Sequence, residues 1–88
     1  MIFEFDPKKA VSNLRKHGVS FAETEPVFYD TLALTQEDTE ASEEVRFVTV
    51  GRDALGRILS VCWMERGQAI RLISARLATS HERKCYES

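Results

Sequence analysis

The spacing of apolar and polar side chains predicts one strand and one helix at the start of the chain. Apolar residues alternate loosely with acidic ones over residues 2–6, which is typical of a short strand that stops at Asp6. Asp6 can cap a helix, Pro7 fits a first helical turn, and apolar residues then recur at three- and four-residue spacing. The pattern predicts a first helix over residues 7–17, ended by Gly18, which is free to adopt a positive φ.

A second helix is predicted to follow, because Ser20 and Glu23 have the spacing of a capping box. This helix would run through Phe28, with Val27 and Phe28 facing inward. Pro26 lies inside the segment, lacks a backbone donor and crowds the preceding turn. We therefore expect the second helix to be kinked or to begin late.

The next part of the chain has the pattern of a β-meander. Residues 31–35 alternate weakly, which predicts a strand, and the acidic residues 36–44 that follow predict a loop. Residues 45–52, 57–65 and 69–77 are rich in β-branched and apolar side chains, and the sequences DALG and RGQ between them have the composition of hairpin turns. Together these segments predict four antiparallel strands in a meander.

The last predicted element is a short C-terminal helix, because Thr79 and Glu82 form a second capping box. The order of elements is a short strand, two helices, four strands and a helix, which predicts an α+β fold. A chain of 88 residues is too short to bury two separate cores. We therefore expect residues 1–88 to form a single domain.

Composition favours a folded domain and argues against a membrane protein. The chain is 43% hydrophobic and 30% charged, which is near ordinary globular usage. Its longest nearly apolar run, residues 58–64, is far shorter than the roughly 20 residues that cross a bilayer. The N-terminal residues lack the order of a signal peptide. We expect a cytoplasmic protein with no membrane partner.

The two cysteines predict neither a metal site nor a disulfide. Cys62 lies in the apolar run and is expected to be a small buried side chain. Cys85 lies four residues from His81, but two ligands do not hold a zinc ion. A disulfide is not expected in a reducing compartment. No cofactor and no metal are therefore predicted.

The net charge of −2 conceals a strong asymmetry along the chain. Residues 1–44 contain four basic and ten acidic side chains, a balance of −6, whereas residues 45–88 contain eight basic and four acidic ones, a balance of +4. Seven of those eight are arginines, whose planar guanidinium binds phosphate through two hydrogen bonds. The asymmetry predicts a phosphate-binding face on the C-terminal half, with ordinary surface charge as the alternative interpretation.

Three segments of the chain resemble the signature of one protein family. They are Phe5-Asp6-Pro7 with residues 13–21 and 27–30, then residues 46–52, and finally residues 70–76 trailed by Ala78, Glu82 and Tyr86. In this order they resemble the BrnT toxins of type II toxin-antitoxin systems. The chain departs from the family pattern at Pro26, where the family usually continues its helix, and at Met64, where an aromatic residue is common.

The resemblance implies a RelE-like α+β fold and a ribonuclease that inhibits translation by cleaving RNA. It also implies a ribbon-helix-helix antitoxin that binds the toxin in a 2:2 complex, blocks it and carries the complex to operator DNA. The competing interpretation is a non-catalytic partner module, a corepressor, of a DNA-binding antitoxin. The mild acidity of the whole chain fits that interpretation somewhat better than RNA cleavage.

Metal-free RNA cleavage by attack of the 2′-hydroxyl needs a base, an acid and cations around the phosphorane. Since the sequence offers arginines and no convergent ligand set, we expect cleavage without a metal. His17 is a catalytic candidate through the family motif, although its spacing also fits a half-buried histidine on one side with Ala10 and Leu14. His81, in a short helix, is expected to lie at the surface.

Arg71 and Arg76 are candidates for stabilising the transition state, because both lie in the third segment of the family resemblance. Their odd separation places them on opposite faces of a strand unless a bulge or the strand end re-aims one of them. An ion pair with Glu65 or Glu82 is the alternative interpretation of either arginine. Glu82 is expected to cap its helix, with a catalytic role as the other interpretation.

Four further residues are expected to contact RNA: Lys16, Arg46, Arg52 and Tyr86. Arg46 and Arg52 share a strand face on either side of an apolar centre and can point to the same rim. Lys16 can neutralise phosphate or simply extend its side chain at the helix end. Tyr86 can stack on a base or pack the last helix against the domain.

Overall fold

The computed structural model describes residues 1–39 and 44–88. The elements are β1 (Ile2–Glu4), α1 (Pro7–His17), two 3-10 turns (Phe21–Glu23 and Glu25–Tyr29), β2 (Leu34–Asp38), β3 (Arg46–Arg52), β4 (Ile58–Arg66), β5 (Ala69–Leu77) and α2 (Ser80–Glu87). The predicted acidic loop falls in part on residues 40–43, which lie outside the described residues.

The strands form one sheet in the order β1-β5-β4-β3-β2. Consecutive strands from β2 to β5 pair antiparallel, so the predicted four-strand meander and the α+β class are confirmed. The opening strand β1 adds to the outer edge of β5 in parallel and makes the sheet five-stranded. Its partners there are residues 69–71.

The strand β2 lies farther along the chain than the pattern predicts. Residues 34–38 form it instead of residues 31–35, so three residues assigned to the acidic loop are paired with β3. The hydroxyls of Thr35 and Thr49 share a hydrogen bond of 2.8 Å across the two strands. The prediction was wrong here because β2 is an edge strand, and an edge strand in solvent needs no apolar signal.

Each face of the sheet is covered by different helical segments. α1 and the two 3-10 turns cover the first face, which we call the core face. Its buried side chains are Val19, Phe21, Val27, Leu59, Val61, Leu72 and Ala75. α2 covers one end of the opposite face, the α2 face, where Tyr86 packs against Val50 and Ile58. The described helices leave the remainder of the α2 face uncovered.

The predicted second helix is wrong, since two short 3-10 turns take its place. The Ser20 side chain makes no capping hydrogen bond. Instead, the buried hydroxyl of Thr24 donates to the backbone carbonyl three residues earlier at 2.7 Å. Pro26 lies at the start of the second turn, where it has no N–H with which to continue a helix. Val27 is fully buried, as predicted.

The helix α1 begins and ends where the sequence predicts. The Asp6 carboxylate accepts a hydrogen bond from the N–H two residues later at 2.9 Å, and Gly18 ends the helix with a φ of 68°. The predicted apolar side of α1 is wrong in part, because Leu14 keeps 53% of its surface exposed and His17 is exposed. The buried residue of α1 is a polar one, Asn13.

Asn13 joins α1 to the outer edge of β5. In the described part of the chain β1 ends opposite Arg71, so the backbone of β5 beyond that point has no neighbouring strand on this side. The Asn13 amide group donates to the Ala75 carbonyl at 2.8 Å and to the Val19 carbonyl at 3.0 Å. Its oxygen accepts from the Ala75 N–H at 3.0 Å. One side chain therefore satisfies both backbone groups of Ala75 in place of a strand.

A bulge interrupts β5 next to this contact. The pairing of β4 with β5 shifts register between Cys62, which is opposite Ser74, and Trp63, which is opposite Leu72. Ile73 is the extra residue on β5. Such a bulge reverses the side-chain alternation of the strand beyond it.

The bulge places Arg71 and Arg76 on the same face of the sheet. Leu72 and Ala75 are both buried in the core face although they are three residues apart. The two arginines flank this pair, so both point to the α2 face. Of the two arrangements considered from the sequence, the bulged one is observed.

We expect Asn13→Ala to destabilise the domain by about 2–4 kcal/mol, because it leaves buried backbone groups without hydrogen-bond partners. Leu14→Ala is the matched control, since it truncates the half-exposed side chain at the next position of the same helix. Urea unfolding measures both changes. If the Asn13→Ala protein is as stable as the Leu14→Ala protein, the amide does not hold β5 in place.

Candidate functional site

The uncovered part of the α2 face carries several cations. We call this surface the basic sheet face and define it by six residues on β3, β4 and β5: Arg46, Cys62, Met64, Arg71, Ser74 and Arg76. Strand pairing places Met64 beside Arg71 and Cys62 beside Ser74. Arg46 lies across β4 from these residues of β5. The three arginines therefore surround a weakly polar centre.

Arg71 has a loosely bound counter-charge. Its Nη1 lies 3.7 Å from Oε1 of Glu4, its cross-strand neighbour on β1, so its ion pair is with neither glutamate considered from the sequence. That distance is too long for a good hydrogen bond, so the guanidinium keeps its donors. Within the described part of the chain, the buried Glu4 Oε1 accepts no hydrogen bond. Sequence reasoning missed Glu4, because only the parallel pairing of β1 brings it here.

Arg76 is held firmly, and its partner is one that the sequence analysis considered. Its Nη1 donates to Oε1 of Glu82 at 2.9 Å and its Nη2 donates to Oε2 at 3.2 Å. Nη1 also donates to the Leu77 carbonyl at 3.1 Å. These contacts use three of the five N–H donors of a guanidinium. The other two donors have no hydrogen-bond partner in the described part of the chain.

Glu82 serves two structural contacts at once. Its Oε1 accepts from the Thr79 N–H at 2.8 Å, which completes the predicted capping box of α2. Hydrogen bonds from Arg76 lower the pKa of Glu82 from 4.5 to about 2. A carboxylate with that pKa stays ionised at neutral pH and cannot act as a general acid. The geometry therefore supports a positioning role for Glu82.

Cys62 lies at the centre of the basic sheet face, on β4. Burial raises the pKa of its thiol, so it stays protonated, and the nearby charges of Arg46 and Lys9 partly oppose that shift while Asp38 adds to it. Two cations from different elements, β3 and α1, thus act on one point of the sheet. Lys9 was missed by sequence reasoning, although helical spacing places it on one side of α1 with Asn13 and Lys16.

Lys16 and His17 lie beside the sheet face, at the outer edge of β5. They line a cavity of about 200 Å³ between α1 and β5, which we call the flank pocket. The lining residues are Lys9, Ser12, Asn13, Lys16, His17, Ile73 and Ser74. Ser74 belongs to both surfaces, so the flank pocket adjoins the basic sheet face.

Arg52 and Tyr86 lie elsewhere, at the end of the α2 face that α2 covers. Tyr86 is 8% exposed, and its hydroxyl donates to Oδ2 of Asp30. It therefore packs the last helix down and offers no face on which a base can stack. Arg52 donates to the Gly56 carbonyl at 2.8 Å, at the opposite end of β3 from Arg46. The two arginines share a face but do not meet at one rim.

A second groove, of about 310 Å³, lies between β2 and α2. Acidic residues of β2 and the α2 residues His81, Glu82 and Cys85 line it. Both His81 and Cys85 are exposed, with Nε2 and Sγ 3.7 Å apart. Across residues 1–39 and 44–88, no three His, Cys, Asp or Glu side chains come close enough to hold a metal ion.

The fold and this site define a small α+β protein whose uncovered sheet face carries three arginines. A family model described as the ribonuclease toxin BrnT of type II toxin-antitoxin systems matches residues 5–82. The chain therefore belongs to the BrnT family of ribonuclease toxins, as the motifs of the sequence predict.

The solved structures give the same fold. The crystal structure of the Brucella abortus ribonuclease toxin BrnT superposes with a TM-score of 0.68 and 24% sequence identity, over 91% of this chain and 100% of that one. A comparison with curated proteins finds no significant match. In the described part of the chain, no helix has the length and apolar character needed to cross a membrane.

We expect Glu82→Gln to lower the free energy of unfolding at neutral pH by about 1–2 kcal/mol, because the ionised carboxylate is bound by Arg76. The folded pKa is below the usual value, so this contribution is complete above the unfolded pKa and is lost as pH falls toward about 2. Urea unfolding of both proteins should show their difference shrink by about half between roughly pH 5 and pH 3. A difference that is independent of pH would contradict the ion pair.

Proposed function

We propose that the protein is a metal-independent endoribonuclease that cleaves RNA on the basic sheet face by attack of the 2′-hydroxyl on the adjacent phosphorus. The observation that carries this proposal is the bulge at Ile73, which turns Arg71 and Arg76 to one face. The strand partners of Arg71 and Arg76 are four residues apart on β4, a distance of about 13 Å, so a phosphorane between the two long guanidinium side chains is within reach of both. Such fixed donors supply the charge stabilisation that a metal ion provides in other nucleases.

The two arginines have different parts in this mechanism. Arg76 is locked by Glu82 and presents its two remaining donors in a fixed direction, which suits a group whose negative charge grows in the transition state. Arg71 has a weaker contact and exchanges Glu4 for the phosphate. Arg46 contacts a neighbouring phosphate of the same RNA strand and contributes to the affinity for RNA.

Proton transfer requires a side chain that titrates near neutral pH. Glu82 is too acidic for this role, so we assign it to the positioning of Arg76. His17 is exposed at the end of α1 and lines the flank pocket beside Ser74, at the border of the basic sheet face. An imidazole can both accept and donate a proton, and we propose that His17 takes the proton of the attacking 2′-hydroxyl and returns it to the departing 5′ oxygen.

The partner we propose is a ribbon-helix-helix antitoxin that binds the toxin in a 2:2 complex, blocks RNA cleavage and carries the complex to operator DNA. Support comes from the family, whose description includes a toxin-antitoxin system. The balance of −6 over residues 1–44 also suits a cationic partner. Free toxin would inhibit translation by cleaving RNA.

RNA cleavage by the purified protein, freed of its partner, tests the proposed function. With excess EDTA present, we expect bulk RNA to be shortened to products that carry a 2′,3′-cyclic phosphate. Cleavage that needs added magnesium would overturn metal independence. A folded protein that leaves RNA intact in both conditions would favour the corepressor interpretation instead.

We expect Arg71→Ala and Arg76→Ala each to reduce the rate of RNA cleavage by about 100- to 1000-fold, since each removes a donor to the developing charge. Lysine at either position should restore only part of the rate, because it keeps the charge and loses the planar pair of donors. Arg83→Ala is the control, as this exposed arginine lies on α2. Thermal melting checks that each variant is folded. An equal loss in the Arg83→Ala protein would place the site elsewhere.

A further inference from the structure

The flank pocket is a cavity with a fixed floor. Asn13 forms that floor, and two of its hydrogen bonds fix α1 against Ala75 of β5 while a third goes to the Val19 carbonyl. Lys9, Lys16 and His17 are exposed on the α1 side, whereas Ser74 stands on the β5 side. The positions of the basic side chains therefore follow from the docking of one helix on one strand.

The charge of the flank pocket is not neutralised within the described part of the chain. No acidic side chain lines the pocket. The four ion pairs of the described residues join three arginines to acidic partners and involve none of Lys9, Lys16 and His17. Two ammonium groups, an imidazole and the hydroxyls of Ser12 and Ser74 thus surround one cavity. Such a set of donors suits an anion with several oxygens.

The flank pocket is continuous with the basic sheet face. Ser74 lies on β5 between Arg71 and Arg76, and the charge of Lys9 acts on Cys62 at the centre of the face. Ser74 is two residues from Arg76, a distance of about 7 Å along an extended strand. One flexible RNA strand can therefore occupy the basic sheet face and the flank pocket together.

We propose that the flank pocket binds a phosphate of the RNA strand that flanks the cleaved phosphate, through Lys9 and Lys16. This proposal rests on the proposed function, since it assumes that the scissile phosphate lies on the basic sheet face. The pocket sets a minimum length for tight binding: an RNA that reaches only the sheet face loses the contact. Free inorganic phosphate has the same chemistry and is the other source to be tested.

The chain offers matched controls, because each lysine of the pocket has a basic neighbour on α1 that does not line it. Lys8 precedes Lys9 and Arg15 precedes Lys16, and both controls are exposed. Lys9→Ala and Lys8→Ala change the net charge equally, as do Lys16→Ala and Arg15→Ala. Any difference within a pair therefore reports position and not bulk charge.

The experiment measures the binding of two 2′-O-methyl RNAs to the full-length protein: a dinucleotide with a single phosphate, which cannot fill both sites, and a nonanucleotide. We expect Lys9→Ala and Lys16→Ala each to weaken nonanucleotide binding about 3- to 10-fold and to reduce the slope of log affinity against log salt by about 0.7. Binding of the dinucleotide should stay unchanged, and the Lys8→Ala and Arg15→Ala proteins should bind both oligonucleotides like the wild type.

Four results would overturn the proposal. Three are equal losses in the control variants, equal losses with the dinucleotide, and wild-type protein that binds both lengths equally. A fourth is inorganic phosphate that displaces the nonanucleotide at concentrations similar to that of the RNA, which would identify a small-anion site. The 2′-O-methyl group removes the attacking hydroxyl, so binding is measured whether or not the protein cleaves RNA. Failure of the pocket is thereby distinguished from failure of the proposed ribonuclease activity.

Discussion

The hydrogen bonds of one buried asparagine are the constraint on which the rest of the site depends. Asn13 takes the place of a strand along the outer edge of β5, directly after the bulge at Ile73. A bulge leaves one residue of a strand unpaired, so the strand needs another contact to keep its register. The Asn13 amide supplies this contact, and the same hydrogen bonds fix α1 against β5. The bulge beside this contact turns the two β5 arginines to one face, and Asn13 itself forms the floor of the flank pocket.

The ion pair between Arg76 and Glu82 extends the same rigidity to the C-terminal helix. Glu82 caps α2 and binds the guanidinium, so the sheet and the helix are joined through one carboxylate. The pair leaves the arginine only part of its donors, but those donors point in a defined direction. An arginine in solvent keeps every donor and has no fixed direction, which is why surface charge alone contributes little. Arg76 therefore offers few donors with a fixed direction, whereas an arginine in solvent offers more donors without one.

Much of the fold could be predicted from the sequence, because its signals are local. Caps at Asp6 and Thr79 and the turns of the meander follow from short-range chemistry. The edge strand β2 could not be placed, since polar residues in solvent carry no periodic signal. The prediction of a second helix was wrong because Ser20 and Glu23 have the spacing of a capping box, but Ser20 makes no capping hydrogen bond in the structure. Parallel pairing of β1 depends on contacts far apart in the chain.

The candidate site was predicted in its residue types more than in its arrangement. The family motifs indicated Arg71 and Arg76. The residues alone did not decide whether the two side chains lie on one face of the strand or on opposite faces, and the bulge places them on one face. Tyr86 is a case where motif membership reflects packing, because its ring is buried and its hydroxyl binds a carboxylate across the fold. Lys9 and Asn13 were passed over, since helix periodicity was applied to apolar residues and not to polar ones.

A map of backbone amide chemical shifts on titration with 2′-O-methyl RNA tests the central claim most directly, namely that RNA binds along the basic sheet face. The account predicts that the largest changes fall on Arg46, Met64 and the stretch of β5 from Arg71 to Arg76, with smaller ones along the pocket side of α1. Changes confined to the covered end of the sheet, around Arg52, Gly56 and Arg83, would contradict it.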